Sequence, residues 1–171
     1  LLRTDPTVDG LKTGHTDAAG YCLAASSLRN DMRLISVIMG SKSMQARADQ
    51  SRELLNWGFG HFSTKVVAPA NQFVDTVPVY FGEKNEVKVA TGEALKVLVA
   101  KTQSDKVSTV INMSDDIQAP IAKGQEVGRM IAVMDGKSVA SVPIIATEAV
   151  EESGIFKRAW QHISKWFSNL F

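Results

Sequence analysis

Cysteine is almost missing from this chain: Cys22 stands alone among 171 residues, which excludes an internal disulfide framework. An excess of charge of one sign is missing too. Nineteen Lys and Arg against eighteen Asp and Glu leave a net charge of +1, so no global field favours nucleic acid or a strongly acidic substrate. There is no repeat period and no low-complexity stretch. The first residues, Leu1 to Pro6, contain neither the basic start, the apolar run nor the small-residue cleavage site of a secretory signal, and no initiator Met. From these absences the chain is expected to begin in mid-protein. What is present is the composition of a folded protein, 44% hydrophobic and 22% charged, long enough for one ordinary domain or two small ones.

The first part of the chain reads as strand, strand, turn and strand: Asp9 to Thr16, Tyr21 to Ser27, a polar link from Leu28 to Asp31, then Arg33 to Met39. The third run is apolar on both faces, which predicts a central strand covered on each side. Ser43 can cap a helix running to about Trp57, with Met44, Ala48, Ser51 and Leu55 on one face and Gly58 as the stop. One such helix covers one side only, so this segment is expected to be a piece of a larger sheet-and-helix domain.

From Lys65 to Val150 the texture changes to short β-rich runs: 76–81, 86–90, 95–99, 107–111, 128–134 and 138–145. Asp135-Gly136 between two of them is a strong hairpin signal, because a type I′ turn needs positive φ at both central residues. The spacing of turns, about 8–12 residues, predicts a small all-β sandwich or barrel. Asp115-Asp116 is read as a turn.

The chain ends in a stretch where Phe156, Trp160, Ile163, Phe167 and Leu170 recur at helical spacing, widened by Trp166 and Phe171 and flanked by Lys157, Arg158 and Lys165. Spanning a bilayer takes about 20 largely apolar residues, so residues 154–171 are expected to lie in a membrane interface rather than cross it. Each large apolar side chain buried there contributes roughly 1.5–3 kcal/mol, and each base near an anionic surface about 1 kcal/mol. A terminal helix packed on its own domain is the rival reading.

Near the start, Lys12-Thr13-Gly14 places a base, a hydroxyl and a glycine in successive strand positions. Such a strand can receive an anionic, extended peptide, the glycine letting a second backbone approach. Three residues alone are a weak signal. Their surroundings are more specific: Val8 to Asp17, then Ala19-Gly20-Tyr21, Met32 to Ser36 and Leu54 to Phe59 resemble the low-molecular-mass penicillin-binding proteins, serine-type D-alanyl-D-alanine carboxypeptidases, and the likeness extends along the whole chain.

That resemblance implies an α+β chain: residues 1–64 the C-terminal piece of a transpeptidase-like peptidase domain, antiparallel strands plus a helix; 65–150 a β-rich, sandwich-like second domain; 154–171 an amphipathic membrane anchor. It implies three catalytic motifs, Ser-x-x-Lys, Ser-x-Asn and Lys-Thr-Gly. No serine of this chain begins either of the first two, so nucleophile and general base are absent and the 171 residues alone are expected to be inactive. By resemblance Lys12 polarises the site, Thr13 hydrogen-bonds the substrate carboxylate, and the strand through Gly14 pairs with the peptide. The His15 N–H is then one oxyanion donor, and Arg47 resembles the arginine that draws in the terminal carboxylate, against the alternative of a solvated helix arginine.

The expected activity is removal of the terminal D-Ala from peptidoglycan pentapeptides through an acyl-serine, with β-lactams as covalent inhibitors of the complete enzyme. The expected location is the periplasmic face of the bacterial inner membrane. A non-catalytic membrane-surface binding module is the alternative. No cofactor or nucleic acid is implied, and no metal, since His15, His61 and His162 are scattered and no Asp/Glu cluster joins them. Catalysis by Cys22 or His15 is set aside, because buried free cysteines mostly pack and the resemblance assigns proton transfer to a lysine.

Overall fold

In a computed structural model the residues described are 1–154. They divide into two compact units, one formed by Leu1–Lys65 with Leu98–Asp105, the other by Val66–Val97 and the chain from Lys106 onward. The architecture is mostly antiparallel β with few helices.

In the first unit, β1 (Val8–Thr16), β2 (Gly20–Arg29) and β3 (Met32–Ser41) form a sheet in that order. The β2–β3 hairpin turns on Asn30 and Asp31, with φ of 47° and 64°, the paired positive angles of a type I′ turn that Asn and Asp tolerate best after glycine. Arg33 on β3 reaches over β2. Its Nη1 donates to both carboxylate oxygens of Asp9 on β1, at 2.8 and 2.7 Å, and to Ser26 Oγ on the strand between.

Helix α1 (Met44–His61) begins at Ser43, whose hydroxyl accepts the Ala46 N–H at 3.0 Å, satisfying one of the donors a helix N-terminus leaves open. It packs on β3 and β2. Val8, Ala25 and Leu55 form the core, joined by Leu1, Leu23, Leu34 and Phe59. Truncating a side chain as buried as Leu55 costs about 2–5 kcal/mol.

Two expectations for this unit are corrected. The helix does not stop at Gly58 but runs through it to His61. Gly58 is buried, and a Cβ there would lie 2.6 Å from Leu34 Cδ1, so its glycine serves close approach of helix to strand rather than termination. Met44, placed by periodicity on the inward face, is exposed, whereas Ser51 and Leu55 are buried. The two apolar faces of β3 stand differently among the described residues: Leu34, Ser36 and Ile38 alternate toward α1, while Ile35, Val37 and Met39 are 61%, 61% and 76% exposed, so the second cover expected for this strand does not belong to these residues.

In the second unit, β5 (Phe73–Pro78), β6 (Glu86–Thr91), β8 (Val107–Met113), β9 (Glu126–Met134) and β10 (Lys137–Ala146) make a five-stranded sheet, ordered β5-β6-β10-β9-β8. Strands β4 (Phe62–Ala68) and β7 (Leu95–Ala100), each with residues in both units, form a separate two-stranded sheet, and Lys101–Lys106, all but its last residue in the first unit, is a short 3₁₀ helix. Asp135 and Gly136, with φ of 49° and 76°, make the β9–β10 turn, as their sequence predicts. The run expected at 76–81 is shifted: the ladder with β6 spans Phe73 to Pro78, and beyond it Tyr80 bridges to Gln118 and Phe81 turns to φ 60°. Strand β4 was not anticipated. Val87, Val89, Leu95, Ile144 and Val150 lie fully inside this unit.

Candidate functional site

Lys12, Thr13, Gly14 and His15 lie in register on β1, opposite Ala24, Leu23, Cys22 and Tyr21 of β2. All four are exposed. Among the described residues β1 is an outer strand of its sheet, so one row of its backbone N–H and C=O groups can take an added strand. The Lys12 ammonium donates to the Thr13 carbonyl at 3.0 Å.

Gly14 has no internal reason to be glycine. Its φ lies outside the left-handed region, and a Cβ built on it would meet only Cys22 Cβ, at 3.9 Å, an ordinary contact. The fold would accept alanine at this position, so what glycine leaves open here is space outside the sheet.

Arg47, in the first turn of α1, is brought to the same strand. Its Nη1 donates to the carbonyls of Gly14, at 3.1 Å, and Cys22, at 3.2 Å. Its guanidinium carbon lies 5.6 Å from the centre of the Tyr21 ring, within range of a cation–π contact. It is therefore a docked arginine, not a freely solvated one. Charge is uncompensated here: among the described residues neither Lys12 nor Arg47 has a carboxylate partner, and the first turn of α1 carries no acidic residue. A cation at a helix N-terminus is opposed by the helix dipole, by about 0.3–1 kcal/mol. Arg47 and, on β1, Lys12 are cations able to hydrogen-bond a carboxylate.

Sequence reasoning missed Tyr21, whose ring packs against His15 with centroids 4.0 Å apart as well as under Arg47. The signal was in the turn. Thr16 pairs with Gly20 and Gly20 has φ +63°, the geometry of a three-residue hairpin loop closed by a glycine; counting one step outward puts residue 21 across from residue 15.

Cys22 is half-buried, its thiol donating weakly to the Ala19 and Gly20 carbonyls. His61 donates through Nδ1–H to the Trp57 carbonyl and stacks on the Trp57 ring, a local arrangement at the end of α1. Among the described residues no group of His, Cys, Asp and Glu could hold a metal ion, and no helix is long and apolar enough to cross a membrane. The expected anchor residues Phe156, Trp160, Ile163, Trp166, Phe167 and Leu170, and His162 among them, lie outside the described residues.

Comparison with known proteins gives two family matches. Residues 62–152 match the model for "Penicillin-binding protein 5, C-terminal domain", and residues 1–43 that for "D-alanyl-D-alanine carboxypeptidase". The Escherichia coli D-alanyl-D-alanine carboxypeptidase DacC is 41% identical, over 100% of this chain and 44% of its own length. The Haemophilus influenzae DacA is 38% identical, over 96% of this chain and 42% of its own. The crystal structure of penicillin-binding protein 5 from Haemophilus influenzae superposes with a TM-score of 0.70 at 38% identity, covering 85% of this chain and 43% of that one. The chain thus spans less than half the length of the curated relatives it matches.

Proposed function

Because the chain belongs to the penicillin-binding protein 5 family, we propose that it supplies one wall of the active site of a serine-type D-alanyl-D-alanine carboxypeptidase acting on peptidoglycan pentapeptides. The observation that carries this reading is the Gly14 position: a glycine the fold does not need, on an open strand edge, beside two cations without carboxylate partners. The terminal D-Ala carboxylate is received by Arg47, Lys12 and Thr13, while the penultimate residue's backbone pairs with β1 across Gly14. The scissile carbonyl then lies near the His15 N–H, one of two oxyanion donors. The other donor, the nucleophile and its base come from Ser-x-x-Lys and Ser-x-Asn segments, which these 171 residues do not contain.

The domain plan of 1–64, 65–150 and 154–171 belongs to the same proposal, as does the sandwich-like character of the second part. The exposed row of Ile35, Val37 and Met39 is the face on which the remainder of the peptidase domain packs. At about 25 cal/mol per Å² of apolar surface, covering it favours a joined domain over separate pieces. The reading as a non-catalytic binding module is not favoured, since the curated relatives are named as carboxypeptidases along nearly all of this chain. For location, we propose the periplasmic face of the inner membrane, held there by residues 154–171.

A fluorescent penicillin separates the pieces of this reading. The protein carrying this chain together with Ser-x-x-Lys and Ser-x-Asn segments becomes covalently labelled and releases D-Ala from a pentapeptide; the 171 residues alone stay unlabelled. Labelling of the short chain, or failure of the longer one to release D-Ala, refutes it. Flotation with anionic vesicles tests the anchor: removal of 154–171 abolishes binding, and unchanged flotation after removal refutes the anchoring.

A further inference from the structure

We propose that Tyr21 is a positioning residue that sets the preference of this site for peptides ending in a free carboxylate. The inference rests on the proposed carboxypeptidase reading. Tyr21 stands directly opposite His15 in the β1–β2 ladder and its ring touches two functional neighbours at once, the His15 imidazole at 4.0 Å between centroids and the Arg47 guanidinium at 5.6 Å. On the strand side Arg47 is held through Nη1 alone, by the Gly14 and Cys22 carbonyls. Nη2 and Nε have no partner among the described residues. Those two nitrogens can form the planar fork that receives a carboxylate through both its oxygens. For the fork to be presented, rotation of the long side chain has to be restricted, and the tyrosine ring, 5.6 Å from the guanidinium carbon, does this together with the two carbonyls.

The same ring abuts the residue whose backbone N–H is assigned to the oxyanion. Tyr21 therefore fixes the spacing between the group that binds the terminal carboxylate and the group that stabilises the reacting carbonyl one residue away. A substrate without a free carboxylate gains nothing from that spacing.

The test uses the complete protein containing this chain, as wild type, Tyr21→Leu and Tyr21→Phe, with an acylated peptide ending in D-Ala-D-Ala and with its C-terminal amide. Tyr21→Leu is expected to lower kcat/KM for the free acid about two- to fivefold, the size of a partly exposed cation–π contact. The amide, which cannot use the Arg47 fork, should lose less, so the acid-to-amide ratio falls. Tyr21→Phe, which keeps the ring, should restore the ratio. Equal losses on both substrates, or a Phe variant as impaired as the Leu variant, overturn the inference while leaving the carboxypeptidase reading intact. A wild-type protein that releases no D-Ala overturns both.

Discussion

Replacing Gly14 by alanine separates what the fold needs from what the site needs. An added Cβ meets only Cys22 Cβ at 3.9 Å, and the φ angle is one any residue adopts. Glycine in a strand interior costs roughly 0.5–1 kcal/mol relative to alanine, chiefly through the larger entropy of its unfolded chain. Gly14→Ala should therefore stabilise the first unit by about 0.4–1 kcal/mol, raising the melting temperature by a few degrees. The peptide that pairs with β1 should feel the opposite effect. A methyl group at the approach point displaces one or two ladder hydrogen bonds, each worth about 0.5–1.5 kcal/mol, so D-Ala release by the complete protein should fall about tenfold. The two measurements are a thermal melt and a D-Ala release assay on the same preparation. A variant that melts lower and hydrolyses normally would refute the reasoning, because glycine would then be serving the fold.

Gly58→Ala should go the other way: helix propensity offers about 1 kcal/mol, but the 2.6 Å approach to Leu34 Cδ1 adds about 1–3 kcal/mol of overpacking, and urea denaturation should show a net loss. In a Leu34→Ala background the same substitution should become stabilising. Gly128→Ala puts a Cβ 2.7 Å from the Asn112 carbonyl and 3.0 Å from Met113 Cα, backbone that yields only if β8 shifts, so amide exchange at the end of β8 should quicken. Asp5 accepts from the Thr7 hydroxyl and N–H, at 2.6 and 2.9 Å, and from Arg29 at 3.0 Å; the Thr7 bonds chiefly, then the Arg29 charge, hold its carboxyl below the usual range. A folded-state pKa below the unfolded one means this contribution is complete above the unfolded value, near 3.9, and is lost as pH falls through the folded one. Asp5→Asn should lower stability near neutral pH by about 1–3 kcal/mol and flatten the acid limb of a stability–pH curve.

Features written in local residue chemistry were legible in the sequence. Asp135-Gly136 announces its turn, and Ser43 its helix start. What depends on a distant neighbour was not. Gly58 reads as a helix stop because nothing along the chain reveals Leu34 facing it. The two apolar faces of β3 show in the sequence that it needs two covers, but what supplies the second does not belong to the described residues. Strand β4 follows α1 without a break and lacks clean alternation, so no signal of turn or period marked it. At the site, the Lys12-Thr13-Gly14 strand was visible, and Arg47 was visible as a residue type. That Arg47 reaches back 33 positions to the Gly14 carbonyl required the packing of α1.

The open edge of β1 has a cost of its own. An unpaired strand accepts any extended chain, a copy of itself included, and exposed edges of this kind are where sheets fuse into aggregates. Lys12 sits in the middle of that edge, and Gly10 and Gly14 weaken its intrinsic tendency to pair. Two copies laid edge to edge would bring like charges together, whereas a peptide ending in a carboxylate would neutralise them. The lysine proposed to recruit the substrate thus also opposes pairing of the edge with its own kind, so one side chain bears on both solubility and binding at this strand.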